Sequence, residues 1–145
     1  MSDQSKDREE STSFLPQFEK RGGLLPVIVQ DAVSKEVLML GYANPLALER
    51  TRQTGLATFW STSRNQLWTK GETSGDTLKV QEIRVDCDQD ALLYIVTLEG
   101  SGVCHTKGPD NQARYSCFFR RLNASSADSL TFLPGTFREE TEKSQ

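Results

Sequence analysis

Two apolar runs near the start of the chain limit what this sequence can fold into. Residues 24–32 (LLPVIVQDA) and 36–43 (EVLMLGYA) are rich in β-branched and large aliphatic residues, and only a short connection around Ser34 and Lys35 separates them. Apolar runs of this length on either side of a brief turn are typical of a β-hairpin. The sequence therefore predicts that the fold begins with two paired strands.

One short helix is predicted after this hairpin. Asn44 and Pro45 suit the N-cap and first position of a helix, which continues through Arg52 and ends at Gly55. A polar loop is predicted at 65–76, and the β-like segments around and after it are 57–63, 77–88, 91–100 and 116–122. We expect a β-rich, mostly antiparallel α+β domain with a single short helix.

Length and charge restrict the class of protein. At 145 residues the chain fits one domain, predicted at 14–122 between a polar, disordered arm at 1–13 and a C-terminal tail at 123–145. The net charge of −3 supplies no broad positive field, which argues against nucleic-acid and membrane partners. No apolar run approaches the roughly 20 residues of a membrane span, and the N-terminus lacks an apolar signal core. We expect a cytoplasmic protein.

An acidic triplet at the end of the alternating segment 77–88 is the first candidate site. A strict period of two places Val80 with Asp86 on one face and Ile83 with Cys87 on the other, and it extends the acidic face to Asp88 and Asp90. Carboxylates suit a hard cation such as Mg²⁺ or Mn²⁺, whereas a thiolate suits Zn²⁺. The pattern predicts two different metals on opposite faces.

Geometry limits this magnesium site. The first and third aspartates of a straight strand lie roughly 13 Å apart, too far for one ion to bind both directly. Either the chain bends near Gln89, or one carboxylate acts through a metal-bound water.

Three cysteines and one histidine are the only such residues in the chain, and Cys104, His105 and Cys117 follow the triplet. Cys87, Cys104 and Cys117 would give zinc three thiolates and leave one position open for water, as in catalytic rather than structural sites. His105 is a candidate general base or proton shuttle. The C-x-x-C pairs of zinc ribbons and the signature of nucleobase deaminases are absent from the sequence. Unconnected core cysteines and a structural histidine remain alternatives.

A loop rich in hydroxyls and small residues is the candidate substrate site. Its backbone and side-chain donors suit phosphate oxygens, although the order of a Walker loop is absent and an ordinary polar hairpin loop remains an alternative. The candidate substrate-binding residues are Arg64, Trp68, Lys70, Glu72, Thr73 and Ser74.

Several motifs in one order give the chain a family resemblance over about residues 22–122. The segments VLMLGYAN, TFWSTSRNQLWTKGETSG, VDCDQD, CHT and SCFFR resemble those of phosphoribosyl-AMP cyclohydrolase, the enzyme of histidine biosynthesis that opens the adenine ring of 1-(5-phosphoribosyl)-AMP. The resemblance implies Mg²⁺ bound by Asp86, Asp88 and Asp90, and Zn²⁺ bound by Cys87, Cys104 and Cys117. It also implies an intertwined homodimer in which the first cysteine completes a zinc site with two from the other subunit.

The same resemblance implies the reaction. Water activated by zinc would attack C6 of the purine ring and break the C6–N1 bond, with Mg²⁺ assisting at the substrate phosphates. The segment between Cys104 and Cys117 is longer than the family norm, and Thr62 stands where arginine is common. Because no fused second domain follows, we expect ring opening alone. Two alternatives stay open: another zinc-dependent purine hydrolase or deaminase, and a non-catalytic module with structural zinc.

Overall fold

A four-stranded mixed sheet forms the centre of the molecule. The computed structural model describes residues 8–124 and 128–133. Its strands are β1 (Leu25–Asp31), β2 (Val37–Ala43), β5 (Leu78–Val85) and β6 (Leu92–Leu98). In the order β2-β1-β6-β5, the sheet contains one parallel pair, β1 with β6, and two antiparallel pairs. The predicted α+β class and the opening hairpin are confirmed.

Within the described residues, two small antiparallel sheets, one ten-residue α-helix and a short 3₁₀ helix (Phe18–Arg21) accompany the central sheet. The helix α1 (Pro45–Thr54) follows β2 directly. The small sheets pair β3 (Thr58–Ser61) with β4 (Gln66–Thr69) and β7 (Arg120–Leu122) with β8 (Leu130–Phe132). No helix within residues 8–124 and 128–133 has the length and apolarity needed to cross a bilayer.

The predicted helix boundaries are confirmed by its caps. The Asn44 Oδ1 atom accepts a hydrogen bond from the Ala47 N–H at 2.8 Å, and Pro45 occupies the first turn, where a missing N–H costs nothing. Gly55 ends the helix with a φ of 78°, a conformation that glycine adopts without steric strain.

The core lies on one face of the central sheet. Alternate residues of β1 and β6 point inward and are fully buried or nearly so, as their period of two requires. Phe59 of β3 covers them and packs against Tyr94, with ring centres 6.1 Å apart. The opposite face of the sheet carries several large exposed apolar side chains.

Strict alternation in β5 was a wrong prediction. A bulge between Val80 and Glu82 inserts Gln81 without a partner in β6. Because a bulge shifts the pleat by one residue, Val80 and Ile83 both pack against the core instead of facing opposite sides. The charged residues of this strand, Glu82 among them, stay exposed.

Two other strand boundaries differ from the predictions. Part of the predicted polar loop, Gln66–Thr69, is a strand, because the β3 ladder supplies it with partners. The predicted strand at 116–122 begins only at Arg120, since Cys117 instead donates its N–H to Leu38 O on the edge strand β2 at 2.8 Å.

The chain ends contact the domain where the structure describes them. Residues 1–7 and 134–145 lie outside the described residues, as do 125–127. Leu130–Phe132 of the predicted tail pairs with β7, so this part of the tail docks. Within residues 8–13 of the predicted arm, the carbonyl oxygens of Arg8 and Ser13 accept hydrogen bonds from the Gln89 side chain.

Candidate active site

A tight turn after β5 gathers the acidic triplet. Asp86 Oδ1 accepts hydrogen bonds from the N–H groups of Asp90 at 2.9 Å and Ala91 at 3.1 Å, and Gln89 takes a positive φ of 57°. The bend brings carboxylate oxygens of Asp86, Asp88 and Asp90 within 4.8 Å of one another. Of the two arrangements that the spacing left open, the structure has the bent chain.

The N-terminal segment holds this turn. The Gln89 side chain is buried; its Oε1 accepts from the Leu15 N–H at 2.6 Å, and its Nε2 donates to Arg8 O at 2.9 Å and Ser13 O at 3.0 Å. Beside Cys87, a cleft of about 350 Å³ remains between this segment and the turn. Sequence reasoning missed the contact, because a polar segment without periodicity gives no sign of where it docks.

Two cations compensate the gathered carboxylates. Lys20 Nζ lies 2.7 Å from Asp90 Oδ2 and 3.2 Å from Asp88 Oδ2, and Arg21 Nη2 lies 2.9 Å from the same Asp90 oxygen. The Lys20 hydrogen bond holds the pKa of Asp90 far below its usual range, while burial raises the pKa of Asp86. Two cationic side chains of the same chain therefore already neutralise part of the negative charge of the carboxylates.

The carboxylates fit a hard divalent cation. Mg²⁺ prefers oxygen ligands and keeps several of its own waters, so a few converging carboxylates are sufficient. Asp88 is partly exposed, which leaves the cluster open to an ion from solution. An arriving ion would compete with Lys20 and Arg21 for Asp90 Oδ2.

Two of the three cysteines, Cys104 and Cys117, lie next to each other at the two ends of the loop that joins them. Cys104 is buried, and its N–H donates to Arg114 O at 3.0 Å in a loop that folds back on itself. Desolvation, and then the neighbouring Cys104 thiol, raise the pKa of Cys117 to about 11. Paired thiols are soft donors that fit Zn²⁺, which binds the deprotonated form.

Cys87 does not join this pair within one chain. It is exposed on the acidic turn, and among the residues described here only the three aspartates form a cluster of three or more metal-binding side chains. One chain thus offers zinc two adjacent thiols and presents a third thiol elsewhere on its surface.

The long segment between Cys104 and Cys117 is a closed hairpin. Lys107 bridges to Ala113, and the Gly108 N–H donates to Gln112 O at 3.0 Å. The tip at Pro109–Asn111 is exposed. His105 is exposed at the base of this hairpin, directly after a candidate zinc ligand, and its catalytic role stays a prediction.

The candidate substrate residues divide into two groups. Lys70 follows β4 and is close enough for its charge to act on Cys117, and the exposed Glu72, Thr73 and Ser74 continue the same loop. Arg64 lies in the β3–β4 turn, at the other end of this small sheet and roughly 10 Å of strand away.

Trp68 has a visible packing role. Its ring lies 5.0 Å from the ring of Phe59, centre to centre, and it is half-buried against the core. Its contact with substrate stays a prediction.

Gly71 shapes the loop that carries Lys70 and Glu72. Its φ is +79°, and an added Cβ would lie 2.1 Å from the Asp76 carbonyl carbon, whereas Gly75 has a φ of +88° and open space.

We expect Gly75→Ala to lower the free energy of unfolding by about 1 kcal/mol, from backbone strain alone. Gly71→Ala adds a clash of about 1–3 kcal/mol and should also raise KM. Denaturant unfolding and steady-state kinetics measure both, and equal effects of the two variants would contradict this packing.

Comparison with known proteins agrees with these motifs. The family model "Phosphoribosyl-AMP cyclohydrolase" matches residues 39–119. Similar proteins of that name occur in Archaeoglobus fulgidus, 56% identical over 73% of this chain and 91% of the relative, and in Methanospirillum hungatei, 45% identical over 90% and 94%. A third, from Solibacter usitatus, is 50% identical over 81% and 91%. The resemblance is confirmed: the chain belongs to the phosphoribosyl-AMP cyclohydrolase family of hydrolases.

Proposed function

We propose that this chain hydrolyses 1-(5-phosphoribosyl)-AMP at the C6–N1 bond, a step of histidine biosynthesis. One observation carries the proposal: the segment that matches the family model, 39–119, contains the gathered carboxylates and all three cysteines. Hard and soft donor sets within one matched segment suit a hydrolysis that uses two kinds of metal.

The substrate itself makes this reaction feasible. A ribosyl group on N1 gives the purine ring positive charge, so C6 is electron-poor and N1 is a good leaving group. Bound zinc would supply the acidity that turns a water molecule into a nucleophile near neutral pH. The oxygen of that water ends on C6, and the electrons of the C6–N1 bond stay with N1, which takes a proton.

The chain's own residues have distinct parts in this proposal. Cys104 and Cys117 of one chain, with Cys87 of a second copy, would hold zinc, and the acidic turn would hold magnesium to assist at the substrate phosphates. His105, which follows Cys104 directly in the sequence, would move the proton between water and N1. Lys70 and the hydroxyls of Thr73 and Ser74 are donors for phosphate oxygens, and Glu72 can accept from a sugar hydroxyl.

A homodimer with shared zinc sites is part of the proposal. The outer face of the central sheet is apolar where Leu40, Ile28 and Leu93 lie side by side on three neighbouring strands. Leu40 is 47% exposed and Ile28 40% exposed, and Tyr42 beside them is 43% exposed. Such a patch on a regular sheet suits a self-complementary interface. A second copy there would also supply a Cys87 to complete a zinc site.

Leu40→Lys is expected to weaken this dimer. Burying an unpaired charge costs roughly 3–5 kcal/mol, so the dissociation constant should rise by about 100-fold or more. Val33→Lys is the matched control, because Val33 is 84% exposed in the turn between β1 and β2. Sedimentation velocity across a concentration series measures the dissociation constant. A wild-type monomer, or a dimer that Leu40→Lys leaves intact, would contradict the interface.

Product analysis tests the reaction. Incubating the zinc-loaded protein with 1-(5-phosphoribosyl)-AMP and Mg²⁺ should give a product that has gained one water, with no ammonia released. Ammonia in step with turnover would instead indicate a deaminase.

A further inference from the structure

A series of contacts leads from the Cys104 thiol to the C-terminal strand. Cys104 Sγ lies 2.9 Å from Thr106 Oγ1, and Arg114 Nη1 donates to that same oxygen at 3.0 Å. The guanidinium carbon of Arg114 lies 4.3 Å from the centre of the Phe119 ring and 5.5 Å from that of Phe132. The candidate zinc ligand thus touches a hydroxyl whose other partner is fixed by two aromatic rings.

The backbone holds these side chains in register. The Cys104 N–H donates to Arg114 O at 3.0 Å, and the Arg114 N–H donates to Thr106 O at 3.0 Å. These two hydrogen bonds join the strands of the hairpin next to Cys104, Thr106 and Arg114. The backbone therefore holds the three side chains close together. The Phe119 and Phe132 rings stack at 5.8 Å, which gives the guanidinium a rigid surface.

The chemistry of the three groups fixes the direction of the hydrogen bonds. A guanidinium has donors only, so Thr106 Oγ1 must accept from Arg114. Metal ligation requires Cys104 as a thiolate, which has no hydrogen to donate. With a metal bound, the hydroxyl hydrogen of Thr106 would therefore point to the sulfur, 2.9 Å away. Charge favours the same arrangement, because zinc with three thiolates carries net negative charge and the guanidinium is positive.

We propose that Thr106 and Arg114 are positioning residues for the Cys104 thiolate. Arg114 orients the Thr106 hydroxyl, and the hydroxyl donates to the sulfur and so stabilises the negatively charged thiolate that binds the metal. β8 takes part through Phe132, although it lies beyond the segment that matches the family model. The inference rests on the zinc site of the proposed function.

Cobalt(II) in place of zinc provides a readout other than activity. A thiolate bound to Co²⁺ gives a sulfur-to-metal charge-transfer band, and a hydrogen bond to the sulfur moves this band to shorter wavelength. Thr106→Val should move the band to longer wavelength and weaken zinc binding about tenfold, measured by competition with a chromophoric chelator. Thr106→Ser keeps the hydroxyl and should restore both values.

Arginine variants test the second link. Arg114→Met should shift the cobalt band in the same direction as Thr106→Val, and the double variant should add little, because both act through one hydrogen bond. Arg120→Met is the matched control: its guanidinium also lies over Phe119, at 5.0 Å, but its side chain has no hydrogen bond to Thr106 within the described structure. It should leave the band unchanged.

The outcomes separate this inference from the proposed function. A wild-type protein without a thiolate-to-cobalt band would overturn the zinc site, and this inference with it. A wild-type band that Thr106→Val leaves in place would overturn the inference alone, as would a band that Thr106→Ser shifts just as far. Additive shifts from Thr106→Val and Arg114→Met would remove Arg114 from the positioning role.

Discussion

Replacing Cys104 by serine is expected to remove both turnover and bound zinc. Serine keeps the size of the side chain but supplies no thiolate at neutral pH, and zinc in a sulfur site depends on that ligand. Removing a residue that hydrogen-bonds to a metal ligand already lowers activity or metal affinity by up to about 100-fold. Removing the ligand itself should lower both further. Zinc content by plasma emission spectrometry and the rate of ring opening measure the two effects.

The three cysteines differ in burial, so their serine variants separate loss of zinc from loss of packing. Cys104 is buried, so its substitution also probes packing, whereas Cys117 and Cys87 are exposed. All three serine variants should lose zinc, and circular dichroism should show that Cys87→Ser and Cys117→Ser keep their secondary structure. Full activity in any one of them would take that cysteine out of the zinc site.

The second large effect is expected from Asp88→Asn. The variant removes one charge from the gathered carboxylates while preserving shape. A pair of unit charges 4 Å apart interacts by about 4 kcal/mol at an effective dielectric constant of 20, and Mg²⁺ carries two charges. The dissociation constant for Mg²⁺ should therefore rise by about 100-fold or more. Titration calorimetry with Mg²⁺ measures this, and the rate should no longer be restored by millimolar Mg²⁺.

Asp110→Asn is the matched control for Asp88→Asn. Asp110 is an exposed carboxylate at the tip of the hairpin between Cys104 and Cys117, and its Oδ1 accepts from the Gln112 N–H at 3.0 Å, a bond that asparagine can keep. Its Mg²⁺ affinity should equal that of the wild type. A normal Mg²⁺ response in Asp88→Asn would remove the aspartates from the site.

Local signals predicted the parts of the fold that depend on neighbouring residues. The helix α1 has its N-cap, its first-turn proline and its terminal glycine within one short segment, so sequence and structure agree. The bulge at Gln81 had no such signal, because it depends on how β5 fits against β6. One extra residue there was sufficient to make the predicted faces of Val80 and Ile83 wrong.

The candidate site divides in the same way. Spacing and donor chemistry identified the acidic triplet, and distance arguments predicted that it must bend or act through water. The bend depends on the contact between Gln89 and the N-terminal segment. The hydrogen bond between Leu15 and Gln89 joins residues that are 74 positions apart in the sequence. Lys20 and Arg21 reach the carboxylates by the same long-range packing, which composition does not encode. Arg64 was grouped with Lys70 by sequence, whereas the β3–β4 ladder separates them.

The most direct test of the account is a continuous ultraviolet assay of ring opening. Protein purified without chelators and loaded with zinc should convert 1-(5-phosphoribosyl)-AMP in the presence of Mg²⁺. A chelator should stop this in two stages, with magnesium lost before zinc, and each metal should restore its own stage. A fully loaded protein that leaves the substrate unchanged would contradict the account.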